Sequence, residues 1–458
     1  MAHVLYTRKN FCKRGGFMFW AELAVVLAML IIGARYGGIF LGMSSGFAIA
    51  ILVFGFGLAP GNPAIDVIMI IMTVVVIAAT LQASGGMEYL IQIAVKLLRK
   101  NPNRISYYAP IISWVFTFMC GTGNISFGIL PVIAEVAREA GVRPERPISM
   151  SVIASQQAIT ACPISAATVA LVGLLSPQGV TLIDILIVCI PSTLIGVVCG
   201  SLWAARMGKE LSEDQEYLDR VARGEAAPIN EKAQIAEAKE FSASTKRAVW
   251  IYLLATVIVV IFGIFPELRP SAMLGDKMVS FTMTMCIEMV MMAMAGVMII
   301  ACGVKVNSII EQSVFRNGLM GVYCIFGLTW AGDTLTRNNI DFIKSGAADL
   351  ISTYPWVFAI ILFLLSAVIL SQAGTIGALA PLGITLGITP PAMIGMFPAV
   401  NGYFLVPIYA TVLAGIAFDR TGTTQIGKFV FNHSFQIPGL ITCIVSVAVG
   451  MALANVVL

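Results

Sequence analysis

Apolar runs about as long as a lipid bilayer is thick recur along this chain, and no other feature narrows its folding options so far. Crossing hydrocarbon as a helix takes about 20 mostly apolar residues, because a helix satisfies its own backbone where water is absent. Ten such runs occupy 18–35, 38–58, 65–84, 149–175, 181–205, 247–265, 278–302, 317–333, 392–417 and 436–457. Two further apolar regions, 105–140 and 354–389, are each interrupted near the middle by small polar residues. The pattern predicts an all-α polytopic membrane protein with about ten transmembrane helices. Charge agrees, since 11% of the 458 residues are Asp, Glu, Lys or Arg against about 25% in soluble domains. So few ions exclude a large soluble enzyme or a disordered scaffold. A net charge of +4, dispersed along the chain, argues against a nucleic-acid partner and leaves the lipid bilayer as the surroundings.

Residues 1–17 carry Arg8, Lys9, Lys13 and Arg14 ahead of the first apolar run, as a secretory leader does. The run continues into Gly33-Ala34-Arg35 without a small-residue cleavage site, so it reads as a retained first span behind an N-terminal tail. The nine cysteines lie mostly in apolar runs at no metal-ligand spacing, and only His3 and His433 are available to join them. They read as small packing residues, and no disulfide framework, metal or other cofactor is expected.

The one long hydrophilic stretch, 206–246, divides the chain into 18–205 and 247–458. Motifs recur across the two halves in the same order. Gly85-Gly86-Met87-Glu88-Tyr89-Leu90 matches Asn338-Asn339-Ile340-Asp341-Phe342-Ile343, and Pro110 matches Pro355. Gly121-Thr122-Gly123-Asn124, seven residues before Pro131, matches Ser371-Gln372-Ala373-Gly374, seven before Pro381. Gln157 stands six residues before Pro163 as Asn401 stands six before Pro407, and Ile190-Pro191 matches Ile437-Pro438. The five offsets all lie between 244 and 253, which implies gene duplication. If the two interrupted regions are re-entrant hairpins, each half crosses five times, and the repeats are inverted. With 206–246 cytoplasmic, 20 of the 28 Lys and Arg residues then fall inside, as the positive-inside rule requires. The basic N-terminal tail, placed outside, is the exception.

Inverted repeats with interrupted helices at matching places are the signature of a secondary transporter. A helix broken inside the membrane exposes N–H groups at one new end and C=O groups at the other, and N–H groups bind anions. Four breaks, at 121–126, 161–165, 371–375 and 406–411, join small or prolyl residues to hydroxyl and amide side chains. They make Thr122, Gly123, Asn124, Ser126, Thr160, Pro163 and Ser165 candidate substrate-binding residues in the first half. Ser371, Gln372, Thr375, Pro407, Tyr409 and Thr411 are the candidates in the second. No Lys or Arg lies in any break, so a bound anion relies on helix N-termini and neutral donors, which suits a cargo that must be released. A plainer account has the Ser and Thr residues bonding backbone carbonyls while the glycines ease helix packing.

Glu288, near the middle of 278–302, is a candidate ion-coupling group, the alternative being a protonated hydrogen-bonding side chain. Asp333 and Arg337 flank a span end as a solvated or paired boundary, and Asp419 and Arg420 stand at the inner end of another, where a topological and a substrate-binding role are both open. Glu88 to Lys100 reads as an amphipathic surface helix, as does 340–351. The sequence shows neither the charge ring of an ion-selective pore nor the HExxH or nucleophile–base pattern of an intramembrane enzyme.

The string Cys120-Gly121-Thr122-Gly123-Asn124-Ile125-Ser126, continuing to Leu130-Pro131-Val132-Ile133-Ala134-Glu135-Val136-Ala137, resembles the anaerobic C4-dicarboxylate (Dcu) transporter family. So do Leu81-Gln82-Ala83-Ser84-Gly85-Gly86 and Ala158-Ile159-Thr160-Ala161-Cys162-Pro163-Ile164-Ser165. Phe418-Asp419-Arg420-Thr421-Gly422-Thr423-Thr424 and Gly427-Lys428-Phe429-Val430-Phe431-Asn432-His433 fit the same family. The resemblance runs from about Met18 to the C-terminus, and chains of the family usually start where Met18 stands. Asn124 fits the A-type branch, where B-type members tend to have histidine. Ala367 and Val412 lack the lysine and acid of B-type members, which argues against a sensor-partner role. Ala410 departs from the proline general to both branches, which leaves the shape of the second interrupted helix open. The resemblance implies exchange of fumarate, malate, aspartate and succinate across the bacterial inner membrane in anaerobic respiration. It also implies an elevator-type motion in a homodimer. Proton- or sodium-coupled uptake of another small organic anion is the alternative, with an anion channel behind it.

Overall fold

The structure is a computed structural model that describes residues 17–36, 39–63, 65–229, 240–274, 277–339, 354, 356–406, 409–426 and 433–458. The chain begins with α1 (Phe17–Tyr36), α2 (Phe40–Ala50, prolonged by a π-helical turn over Ile51–Gly55) and α3 (Ile65–Ala83). At Gly85, with φ 77°, it bends by 71° into α4 (Gly86–Leu98). The bend needs a left-handed residue, which glycine supplies without steric cost. α4 buries Met87, Leu90, Ala94 and Leu98 at helical spacing, as an arm lying along a surface does.

α5 (Ile105–Cys120) and α6 (Ser126–Glu139) pack against each other across a short tip. Their 16 and 14 residues reach about 24 and 21 Å, short of the roughly 30 Å hydrocarbon layer. Neither arm crosses by itself. α7 (Glu145–Ala161) and α8 (Ala166–Leu175) form an interrupted helix, and α9 (Leu182–Ala204), started by a capping box between Thr181 and Asp184, closes the half.

α10 (Gln215–Ala222) lies in the linker, before α11 (Ala243–Ile264). An antiparallel hairpin of β1 (Ser271–Leu274) and β2 (Lys277–Ser280), in register Ser271↔Ser280 to Leu274↔Lys277, leads to α12 (Met283–Cys302). α13 (Val306–Ile310) and α14 (Ser313–Asn338) follow. The second half then repeats the order of the first: α15 (Trp356–Ile369) and α16 (Gln372–Thr385) joined by a tip, interrupted α17 (Pro390–Met396) and α18 (Ala410–Phe418), and a long last helix, α19 (Gln436–Val457).

The chain is an all-α polytopic membrane protein, with differences from the sequence reading in detail. Among the described residues, five helical segments, Glu145–Gln178, Leu182–Ala204, Ala243–Ile264, Met283–Cys302 and Gln436–Val457, are by themselves long and apolar enough to cross a bilayer. Of the other expected runs, 18–35 and 317–333 lie within α1 and α14, of 20 and 26 residues, while 38–58, 65–84 and 392–417 return as short, bent or interrupted helices. The run 278–302 begins as a strand, because Met278 and Val279 pair with Met273 and Ala272 before helix starts at the Thr282 cap. The run 392–417 leaves α geometry at Phe397, nine residues ahead of the expected break, and continues in 3-10 turns over Phe397–Val400 and Gly402–Phe404. Pro398 lacks the N–H that would continue the α ladder. The N-terminal tail, 340–351, Pro355, Pro407 and most of 427–433 lie outside the described residues.

The last helices of the two halves, α9 and α19, pack closely. A Cβ added at Gly196 would collide with Ser446 Oγ, and one at Gly200 with Thr442 Oγ1. Small residues four apart on each helix let the backbones approach, which drives association where lipid removes the hydrophobic effect.

Polar contacts gather the segments that the charge count places inside. Arg146 donates to Met207 O at 2.7 Å and to Glu210 at 2.6 Å, and Arg143 bonds Glu145 and Asp214. Arg138 reaches Glu135 at 2.6 Å and the carbonyl of Pro228. From the linker, Arg220 Nη1 donates to Gly422 O and Ala227 N to Arg420 O, each at 3.0 Å. Asp419 is buried and accepts from Thr424 N at 2.6 Å and from Thr423 Oγ1 at 2.9 Å. It therefore holds the turn that Arg220 grips. The linker from 206 to 229 is thus a folded cover on α6, α7 and the 419–424 turn.

Partial burial opposes ionisation of Asp214, but the N–H groups of Tyr217 and Glu216 and the Arg143 guanidinium hold its carboxyl below the usual 3.8. A depressed carboxyl stabilises the folded form above its ordinary value and loses that effect as pH falls through the lowered one. At neutral pH the cover is therefore fully held. Gly196→Val is expected to destabilise the protein by about 1–3 kcal/mol, read as a lower melting temperature in detergent. Arg143→Ala should speed tryptic cleavage after Arg220, and the same site in the unsubstituted protein should open on acidification below the carboxylate range.

Candidate functional site

Each break turns a helix N-terminus toward the interior, and local chemistry explains each one. α5 ends at Gly121, whose φ of 67° reverses the chain. Thr122 follows in extended geometry and accepts from Asn124 N through its side chain, opening the 3-10 turn Gly123–Ile125 that leads into α6. α15 ends at Leu370, the one non-glycine with positive φ among the described residues, at 55°. Ser371 then caps α16 by accepting from Gly374 N. The two tips therefore share a left-handed residue followed by a hydroxyl cap. In backbone terms Gly121 and Thr122 answer Leu370 and Ser371, one residue away from the alignment that the prolines suggest. Leucine gives no sign of a left-handed position, so sequence alone hides this register.

Ser165 caps α8 by accepting from Thr168 N, and its hydroxyl donates to Ile159 O at 2.6 Å. α18 begins after Tyr409 with no side-chain cap. Pro407 lies outside the described residues.

The beginnings of these four helices meet. One cavity of about 530 Å³ is lined by 121–124, 166–167, 371–373 and 409–411. Of the expected residues, Thr122, Gly123, Asn124, Ser371, Gln372, Tyr409 and Thr411 line it. Ser126, Thr160, Pro163, Ser165 and Thr375 are buried behind the wall. Ser126 donates to Ser155 Oγ at 2.7 Å, Thr160 to Gln157 O at 2.8 Å and Thr375 to Ser371 O at 2.8 Å. The plainer account, a hydroxyl on a backbone carbonyl, describes Thr160, Ser165 and Thr375, whereas Ser126 bonds another hydroxyl and Pro163 has none. Glu288 is half-buried on α12 and does not line the cavity. The opposite wall is apolar, built by Ile71, Val74, Val75 and Ala78 of α3 and by Gly318 and Ile325 of α14.

No charged side chain lines the cavity among the described residues. Its positive potential comes from helix dipoles, each equivalent to roughly half a unit charge at an N-terminus. Backbone N–H groups, amides and hydroxyls in a low-dielectric setting favour a small anion, whereas a cation meets the wrong ends of four dipoles.

Behind the floor lies an amide cluster that sequence reasoning left out of the site. Gln372 Nε2 donates to Gln156 Oε1 and to Asn401 Oδ1, both at 3.1 Å. Asn401 Nδ2 donates to Gln157 Oε1 at 3.1 Å, and Gln156 Nε2 to Thr411 Oγ1 at 3.3 Å. Gln157 and Asn401, matched as repeat equivalents in the sequence, thus touch each other. Gln156 has no such match, and its only signal is an amide inside an apolar run.

A model of the family described as anaerobic c4-dicarboxylate membrane transporter matches residues 18–458. The C4-dicarboxylate transporter DcuA of Escherichia coli (strain K12) is 41% identical over 442 residues, covering 96% of this chain and all of that protein. DcuA of Wolinella succinogenes is 38% identical over 437 residues, covering 95% and 99%. The anaerobic C4-dicarboxylate transporter DcuB of Escherichia coli O157:H7 is 38% identical over 444 residues, covering 95% and 98%. Among solved structures, the Alcanivorax borkumensis YdaH transporter aligns with a TM-score of 0.53 over 96% of this chain and 97% of its own, at 16% identity, a likeness of fold.

Removing either hydroxyl cap, by Thr122→Ala or Ser371→Ala, is expected to cost about 1 kcal/mol locally. Hydrogen exchange at the first amides of the affected helix should rise roughly fivefold, with the remainder of the molecule unchanged.

Proposed function

The chain belongs to the anaerobic C4-dicarboxylate membrane transporter family, and from that premise we propose that it exchanges C4-dicarboxylates across the bacterial inner membrane. Fumarate, malate, aspartate and succinate are the proposed substrates, taken by alternating access. The observation that carries the reading is the convergence of four helix N-termini on one cavity that no lining cation serves. A dicarboxylate presents two separated negative groups. The α6 tip with Thr122 to Asn124 receives one, and the α16 tip with Ser371 to Ala373 receives the other.

Release is as important to an exchanger as capture. A fixed Arg or Lys would hold a dianion through charge-assisted bonds roughly twice as strong as neutral ones. Dipoles and neutral donors give an affinity that a modest change of geometry undoes.

The repeats are proposed to be inverted, so that the tips enter from opposite sides. Contact between the equivalents Gln157 and Asn401, and between the equivalent helices α9 and α19, is what a two-fold axis in the membrane plane produces. An elevator motion is proposed because the polar tips and interrupted helices face an apolar wall of α3 and α14 across the cavity. Such a wall offers no polar partner that a sliding unit would have to give up. The sliding unit is assigned the two hairpins, α7, α8, α17 and α18, and the fixed unit dimerises.

Counterflow tests the whole reading. Proteoliposomes of the purified protein should take up labelled fumarate or aspartate only when loaded with internal succinate or another C4-dicarboxylate. Uptake equal to that of empty vesicles rejects the assignment, and non-saturating flux without trans-stimulation replaces it with a channel. Asn124→Ala should raise the half-saturating concentration about tenfold, the worth of one bond to a charged group, whereas Gln372→Ala, whose two N–H groups bond Gln156 and Asn401, should raise it less, by loosening the second tip. Thr375→Ala, behind the wall, should move it far less.

A further inference from the structure

We infer that Gln156 is a positioning residue that sets the spacing of the two tips and so selects dicarboxylates by chain length. The inference rests on the proposed exchange activity and adds to it a residue outside the cavity lining.

Gln156 touches three of the four converging elements. Its Oε1 accepts from Gln372 Nε2 at the second tip, and its Nε2 donates to Thr411 Oγ1 in the first turn of α18. At the first tip a Cβ on Gly123 would stand 3.0 Å from the same Nε2, so the tip backbone rests directly against the amide. One side chain on α7 therefore serves as a common stop for elements from both halves. Asn401 restrains the same Gln372 amide nitrogen from the other side, and is itself tied to Gln157.

The cluster is buried throughout: Gln156 and Gln372 are 3% and 7% exposed, and Gln157 and Asn401 are 0% and 2%. Amides this deep hold their partners at fixed distances, because rotating away leaves donors and acceptors unmet. Stability alone is a poor reason for the arrangement, since Gln157 Nε2 is buried with no partner among the described residues. An apolar set of the same volume would avoid that cost. What an apolar set cannot do is define a distance between two donor-bearing tips. Carboxylates at the ends of a four-carbon chain match one spacing, and those of three- or five-carbon diacids match another.

The test measures inhibition of labelled fumarate exchange by malonate, succinate and glutarate in proteoliposomes of the full chain. Gln156→Met keeps the volume and removes both hydrogen bonds, and Gln156→Asn shortens the stop by one methylene. Both should leave the maximal exchange rate within about twofold, while the preference for succinate over malonate and glutarate falls by about three- to tenfold, the worth of one neutral bond. Gln156→Asn should favour malonate in particular. Should Gln156→Met fail to insert, Gln156→Asn decides alone. A succinate preference unchanged in either inserted variant overturns the inference. If the unsubstituted protein shows no fumarate exchange at all, the proposed function fails instead, and the two failures are distinct.

Discussion

Hydrocarbon offers no hydrogen-bond partner to an open peptide group, and the whole arrangement of this protein follows from how it meets that constraint at four broken helices. Each break frees donors that cost several kcal/mol apiece if left unmet. Thr122, Ser165 and Ser371 each cover one N–H with a hydroxyl. What remains uncovered points at a shared cavity, and α18 contributes its start there with no side-chain cap. Capping and binding are therefore complementary uses of the same chemistry. A hydroxyl that holds its own helix end rigid keeps the neighbouring N–H groups aimed at whatever occupies the cavity.

Charge is sorted by the same logic. Of the ion pairs among the described residues, only Arg337–Asp333 lies away from the segments assigned to the inner side. Arg138, Arg143 and Arg146 bind the linker across α6 and α7, where water and counter-charges are near, and the cavity keeps dipoles alone. The linker is thus part of the unit that carries the first tip.

Sequence reading succeeds here wherever the physics is local. Runs of about 20 apolar residues announce helices in lipid, and Gly121, Pro163 and the hydroxyls beside them announce breaks. It falls short where a neighbour decides. Leu370 adopts a left-handed conformation that leucine does not advertise, which shifts the second tip by one residue against the prolines. Pro398 ends α17 early, although Pro191 and Pro438 sit inside unbroken helices, so proline alone does not settle the matter. The strand over 277–280 is absorbed into an apolar run because Met278 and Val279 suit either state. Gln157 and Asn401 are visible as repeat partners, yet that they touch each other, and that Gln156 beside them bonds Gln372 and Thr411, depends on three-dimensional register.

The two tips are equivalent without being identical, and the difference bears on mechanism. Gly121 takes its positive φ freely, whereas Leu370 pays about 1–2 kcal/mol for the same geometry. Surrounding contacts must hold Leu370 there, and both residues line the cavity. The first tip is in this sense compliant and the second sprung. Four N-termini of roughly half a charge each sum to about two positive units, the amount that would balance the proposed dianion. Backbone dipoles do not titrate, so in the proposed exchange the balance would be undone by displacement rather than by a change of pH.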